Sequence, residues 1–241
     1  VPIKPLEVEM SDRSPSEVAT LKVARRAATP VAGAIAGIIF AVLFTVSMTL
    51  LRQTTGDVAN DTGAWLTGDT GLFKFGLALV PFAGIAFLWF IAVARERLGR
   101  FEDQFFSTVF IGSGLLFLAM IFAAAAGAGA IVTAAANDPE GFAASTTYTY
   151  ARQTVTQILA VYALRMAAIF QLSQASLWLR TRVMPRWMAL ITIVVALILL
   201  FVFTQSWWVV LVFPAWVLLV SVYILIAQPA QDRGVAGEHL A

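Results

Sequence analysis

Cysteine is absent from this 241-residue chain, and histidine occurs once, as His239 beside the last residues. Without thiols there is no disulfide, no thiolate nucleophile, no iron–sulfur ligand set and no cysteine zinc site. A single histidine does not make a bis-histidine haem or a His-based metal centre. Charge is scarce as well: charged residues are 12% of the chain, about half the share usual in a soluble domain. No Asp or Glu falls inside the long apolar blocks. That argues against carboxylate proton relays and against general acid–base chemistry within them. The net charge is only +2. The basic residues sit at block ends, with no concentrated stripe and no nucleic-acid module. No cofactor, no metal and no nucleic-acid partner is expected.

What is plentiful is hydrocarbon. Hydrophobic residues make up 60% of the chain, and they fall in blocks near the 20 residues that carry a helix across a bilayer. The blocks are residues 31–51, 72–94, 104–133, 153–180, 187–203 and 207–227. The expectation is an all-α polytopic membrane protein, a bundle of six transmembrane helices. Three parts follow: an N-terminal segment over 1–30, a six-helix domain over 31–227 and a polar tail over 228–241. The first block is too long for a cleaved signal peptide, and no small-residue cleavage site follows it.

Lys and Arg set the orientation. Lys4, Arg13, Lys22, Arg25, Arg26, Arg95, Arg97, Arg100, Arg180, Arg182, Arg186 and Arg233 fall on one side of this topology. Arg52, Lys74 and Arg152 fall on the other. The positive-inside rule then puts both termini in the cytoplasm. The Ala/Arg-rich, Lys-poor composition points to a bacterial plasma membrane.

Within 1–30, Ser14-Pro15-Ser16-Glu17 reads as a helix start, with Ser14 as cap, Pro15 in the first turn and Glu17 completing a capping box. A short helix to about Ala28 would lie on the membrane surface, held by anionic lipid; docking on a partner is the alternative. Gly33 and Gly37 form a small-xxx-small pair inviting a close helix neighbour. Block 104–133 carries Gly112, Ser113, Gly114 and a run of Ala and Gly from 123 to 130, so the tightest packing is expected there. Gly112-Ser113-Gly114 is not a nucleophile elbow, because G-x-S-x-G is absent and no histidine stands by as base. Block 187–203 is plain Ile, Leu, Val and Ala and is expected to face lipid. Pro81 and Pro214 lie inside blocks and predict kinks, each freeing the carbonyl four residues back, Leu77 and Val210.

The stretch 153–180 departs from this pattern. Arg165 stands near its middle, about 18 Å from its start at 1.5 Å per residue, where an ionised group costs roughly 2.5–3.5 kcal/mol on insertion scales. Arginine does not shed its proton. Counting by helical turns places Thr154, Tyr162, Ser173 and Ser176 on the face of Arg165, with Gln157 and Gln171 on another side. The candidate intramembrane polar site is Arg165 with Tyr162, Gln157, Ser173 and Ser176. Two readings stand. In one, Arg165 donates to carbonyls freed by Pro81 and Pro214 and to Gln or Tyr. In the other, it faces a wet cavity and attracts an anionic head group or solute. The functional expectation is a non-enzymatic membrane protein, structural or an accessory subunit of a complex. The alternative is a small channel or carrier for an anionic or lipid-like solute. The partners are membrane lipids, with other subunits or self-association.

Overall fold

The computed structural model describes residues 15–55, 61–98, 104–182, 184–201 and 207–238. The expected Ser14 cap, the last two residues of block 187–203 and His239 lie outside them. Among the described residues there is no strand. The long helices are α1 (Pro15–Thr55), α2 (Gly71–Leu98) and α3 (Gln104–Ala134). A short α4 (Pro139–Ala143) leads to α5 (Thr146–Gln157), which passes through a π-helical turn (Ile158–Ala163) into α6 (Leu164–Thr181). After α6 come α7 (Arg186–Phe201) and α8 (Trp207–Glu238). A 3-10 turn, Ala64–Thr67, lies between α1 and α2.

The chain is an apolar helical bundle, as an integral membrane protein requires. Five helical stretches are long and apolar enough to cross a bilayer: Val31–Thr55, Gly71–Arg95, Ser107–Ala134, Thr146–Thr181 and Trp208–Ala227. The remaining expected span is the shorter α7, with 16 residues, about 24 Å long.

Contacts fix the direction of each helix. On α1 and α2, Phe40 meets Phe87, Gly37 meets Phe90 and Gly33 meets Val93. One index falls as the other rises, so the pair is antiparallel. The same holds for α2 and α3, through Gly84 with Phe122 and Ile91 with Gly114. It holds for α3 and the α5–α6 rod, through Gly127 with Val155 and Gly114 with Phe170. Trp187 meets Tyr223 and Trp216 bonds Thr192, so α7 and α8 are antiparallel too. Finally α8 runs against α1, since Phe40 meets Phe213 while Gly37 meets Ser221. The start of α1 and the end of α8 therefore lie at one end of the bundle.

The centre is filled with rings. Phe87 packs against Phe40 at 4.7 Å, Phe117 at 5.3 Å, Phe170 at 5.4 Å and Phe213 at 5.7 Å between centroids. These residues come from α1, α2, α3, α6 and α8, and all are buried. Tilted and edge-on arrangements suit the ring quadrupoles. On α1, Phe40, Phe44 and Met48 recur every fourth residue and face this core, whereas Ile35, Ile39, Val42 and Val46 face outward. Both sets are apolar, because lipid accepts hydrocarbon as readily as the core does.

The Gly33/Gly37 expectation holds: a methyl group on Gly37 would collide with Ser221 and come within 2.9 Å of Phe90. Block 187–203 also behaves as expected, with α7 exposing Leu190, Val194 and Phe201. Block 104–133 is mixed. It is the least buried of the five candidate crossing stretches, and an added methyl on Gly112 would meet nothing within 4 Å, but one on Gly114 would come within 2.7 Å of Ile91 and one on Gly127 within 2.8 Å of Val155. Helix also extends further than the polar composition suggested. α1 runs unbroken from Pro15, α5 starts at Thr146, and α8 continues to Glu238 in place of a tail without structure.

Candidate intramembrane polar site

Arg165 sits one residue into α6, just past the π turn. Interpolating between the Gly114–Phe170 and Gly127–Val155 contacts puts it level with about Leu118, near the midpoint of α3. It is half-buried. Its Nη1 donates to the carbonyl of Val161 at 3.2 Å, and it has a further interaction besides. Val161 belongs to the π turn, where bonding shifts from i→i+4 toward i→i+5. A carbonyl oxygen of its own rod thus serves this cation as an acceptor.

One expected acceptor is out of reach. Leu77 is level with Gly129, since its side chain lies 3.8 Å from a methyl placed there. That is roughly 16 Å along the axis from Arg165, so the carbonyl freed by Pro81 is at the wrong depth. The reason is the offset of α2 against α3, which spacing along one helix does not reveal. Pro81 itself lies inside the continuous α2 and Pro214 inside α8.

The π turn also re-phases the helix. In a regular α-helix, five residues from Gln157 to Tyr162 overshoot one turn by about 140°. With i→i+5 bonding, five residues make roughly one turn. Tyr162 is thereby brought under Gln157, and both are exposed. Tyr162 is 58% exposed. The other expected members go elsewhere. Ser173 is buried and donates to Ile169 O at 2.9 Å; Ser176 donates to Leu172 O at 2.8 Å. Both hydroxyls are thus satisfied within α6, a local pattern familiar for serine in helices. Ser113 behaves alike, bonding Val109 O and Phe110 O, which suits packing and not nucleophilic chemistry.

Two features lie outside the expected site. The first is a pair of buried amides below Arg165. Gln171 is fully buried with neither amide atom hydrogen-bonded, and Gln174 Oε1 is likewise unpaired. Gln174 shares a helix face with Phe170 and Trp178, both of which pack against Trp216. The second is a polar cluster at the end of the bundle away from the start of α1. Arg152 Nε pairs with Asp61 Oδ2 at 2.7 Å, and Trp65 Nε1 donates to Tyr148 Oη at 3.0 Å. Ser145 Oγ accepts from Tyr148 N and starts α5, while Asp138 Oδ1 accepts from Gly141 N and starts α4. The Ser145 and Asp138 caps carry a sequence signal; the 61–152 pairing, 91 residues apart, carries none.

Among the described residues, no three His, Cys, Asp or Glu side chains come together as a metal site. No protein-family model, curated protein or solved structure matches this chain.

Proposed function

We propose that this chain is a structural or accessory subunit of a membrane complex, without catalytic chemistry of its own. The observation that carries this reading is the filled centre. Rings from five helices interlock around Phe87 and Phe213, where a conducting bundle needs an aqueous path. The crossing stretches contain no Asp, Glu or His to relay protons, and the hydroxyls of Ser113, Ser173 and Ser176 are bonded within their own helices.

The topology in this proposal has six crossings, with α7 as the fifth. The alternation of antiparallel contacts from α1 to α8 supports it. Both ends are placed in the cytoplasm of a bacterium, because the Arg180–Arg186 turn and the Arg95 end of α2 belong to the end of the bundle where α1 begins. Residues 15–30 then extend α1 on that side, and 228–238 extend α8.

One observation favours a second reading: Arg165 is half-buried at mid-depth beside the exposed Tyr162. In that reading it draws an anionic or lipid-like solute through a small channel or carrier. Two experiments separate them. Native purification, with identification of the proteins and lipids that accompany the chain, should recover a defined membrane-protein partner; recovery of the chain alone sinks the subunit reading. Arg165→Ala should lower folded yield and leave anion flux in vesicles unchanged. A well-folded variant that abolishes a flux seen in wild type decides for transport.

A further inference from the structure

We infer that the loop between α6 and α7, with Arg182 and Arg186, is a binding site for the head group of an anionic phospholipid. Such a site requires that the chain span a membrane; it does not require a partner subunit. The loop is basic without compensation. Arg180, Arg182 and Arg186 are exposed, and no Asp or Glu occurs between Glu140 and Asp232. The basic turn that ends α2 is balanced by contrast, since Glu96, Glu102 and Asp103 are interspersed with Arg95, Arg97 and Arg100. Among the described acidic side chains, Asp61, Asp69, Asp138 and Glu140 all lie at the opposite end of the bundle. Arg180 has an interaction of its own, so Arg182 and Arg186 carry the site.

Local structure holds the loop in place. Met184 is buried in the main core, which pins the turn between the two outward arginines. Arg182 closes α6 with its N–H donating to Trp178 O at 2.9 Å and a φ of 55°. Glycine or asparagine is the usual residue in that left-handed conformation, so an arginine is held there at a conformational cost. Arg186 opens α7, where the positive end of the helix dipole adds to the guanidinium charge.

Depth selects a lipid. Phe40, Phe87, Phe117 and Phe213 each lie within five residues of the midpoint of their crossing stretch, so their rings mark the middle of the bilayer. Trp187 packs on Tyr223, which lies roughly 15 Å along α8 from Phe213. That is the edge of a hydrocarbon core about 30 Å thick. Trp187 is 50% exposed there, as tryptophan is at a membrane interface. Arg182 and Arg186 precede it at the head-group level, where phosphates lie, and a guanidinium holds phosphate through paired N–H bonds. A zwitterionic lipid brings a cation of its own, for which this loop has no acid. An anionic lipid keeps the whole of the attraction.

The test is the full chain in mixed phosphatidylglycerol–phosphatidylcholine vesicles, with brominated acyl chains on one lipid at a time. Quenching of Trp187 is read as the difference that Trp187→Phe makes. At equal mole fraction, phosphatidylglycerol should be preferred beside Trp187 by about 5- to 25-fold, a factor of about five for each arginine. Arg182→Gln with Arg186→Gln should bring the two lipids close to equality, and Arg182→Lys with Arg186→Lys should keep most of the preference. Arg95→Gln, on α2, which packs chiefly against α1 and α3, should leave Trp187 unchanged. Trp89 is 63% exposed near mid-depth on α2 and should be quenched by either lipid in every variant, showing that each is folded across the bilayer. No preference in wild type, or an equal loss from Arg95→Gln, would overturn the proposal. Abolition of the preference by excess soluble glycerol phosphate would also overturn it, assigning the loop to a free phosphate. Loss of a co-purifying protein from the glutamine variant, with the lipid preference intact, would overturn it in favour of an acidic partner and leave the subunit reading standing. If neither lipid quenches Trp89 in wild type, the membrane-spanning reading fails and the site with it.

Discussion

Arg152 Nε reaches Asp61 Oδ2 at 2.7 Å and so ties the start of α5 to the segment before α2. The Asp61 side chain is only 3% exposed, and the same Asp61 accepts the N–H of Gly63 through its other oxygen. Around it Trp65, Leu66, Phe73 and Tyr148 form a small apolar cluster at the end of the bundle away from the start of α1. A charge-assisted bond in such surroundings contributes about 1.5–3 kcal/mol. Asp61→Asn and Arg152→Gln should each lower the unfolding midpoint in detergent. The double variant should cost less than the sum, because the partner left behind no longer carries an unpaired charge. Strict additivity would mean that the pair adds nothing.

The aromatic centre makes a sharper forecast. Phe87 is fully buried and touches rings on four other helices, whereas Phe82 on the same helix is 61% exposed. Phe87→Ala should destabilise by about 3–5 kcal/mol through lost packing and a residual void. Phe82→Ala should stay within about 0.5 kcal/mol, as surface changes do. Denaturation monitored in mixed micelles measures both. Similar losses at the two positions would mean that the rings near Phe87 are not closely packed.

That contrast also marks what the residue pattern could and could not convey. The helical, membrane-spanning character of the chain was legible, because crossing a bilayer demands a length of hydrocarbon that nothing else in a short chain requires. Gly37 was legible as a close-approach position, and it meets Ser221 and Phe90. Which face of α2 turns inward was not: Phe82 and Phe87 are the same residue type, and lipid and core reward it equally. The Ala and Gly run of α3 was informative only in part: Gly127 meets Val155 and Ala124 is buried, while Ala123 and Ala126 are exposed, since small residues permit close packing without enforcing it. For Arg165 the position near the middle of a long apolar rod was readable from sequence. The surroundings were not, because a π turn between 158 and 163 rotates everything before it relative to everything after.

Gly37 carries a prediction of its own. Replacing glycine by alanine inside a helix ordinarily gains about 0.8–1 kcal/mol. Here the added methyl runs into Ser221 Oγ and Phe90. Gly37→Ala should therefore destabilise by about 1–3 kcal/mol, as overpacking does. Adding Ser221→Ala removes the colliding hydroxyl and should recover part of the loss. A stabilised Gly37→Ala protein would show that α1 and α8 do not approach each other this closely.

Thr192 joins α7 to α8. Its hydroxyl donates to Met188 O at 2.9 Å and accepts the indole N–H of Trp216 at 2.9 Å, and both residues are buried. Thr192→Val keeps the shape and strands the indole donor, which should cost about 1–3 kcal/mol. Thr192→Ser retains the acceptor and should cost less. Thermal unfolding of the two variants side by side is the measurement. Equal stability would place the stabilisation in packing instead of the hydrogen bond.

Gln171 leads to the opposite sign. It is fully exposed to the core and to nothing else: neither amide atom has a hydrogen-bond partner, and no water-accessible surface remains on the side chain. A buried amide without partners costs about 1–3 kcal/mol. Gln171→Met nearly preserves volume and flexibility. The variant should raise the unfolding midpoint, a gain that few substitutions in a packed core deliver. Gln171→Leu should do the same to a smaller extent, because its branched end fits the space less well. A fall in stability for both would mean that the amide is bonded in the membrane by a group the isolated chain does not supply.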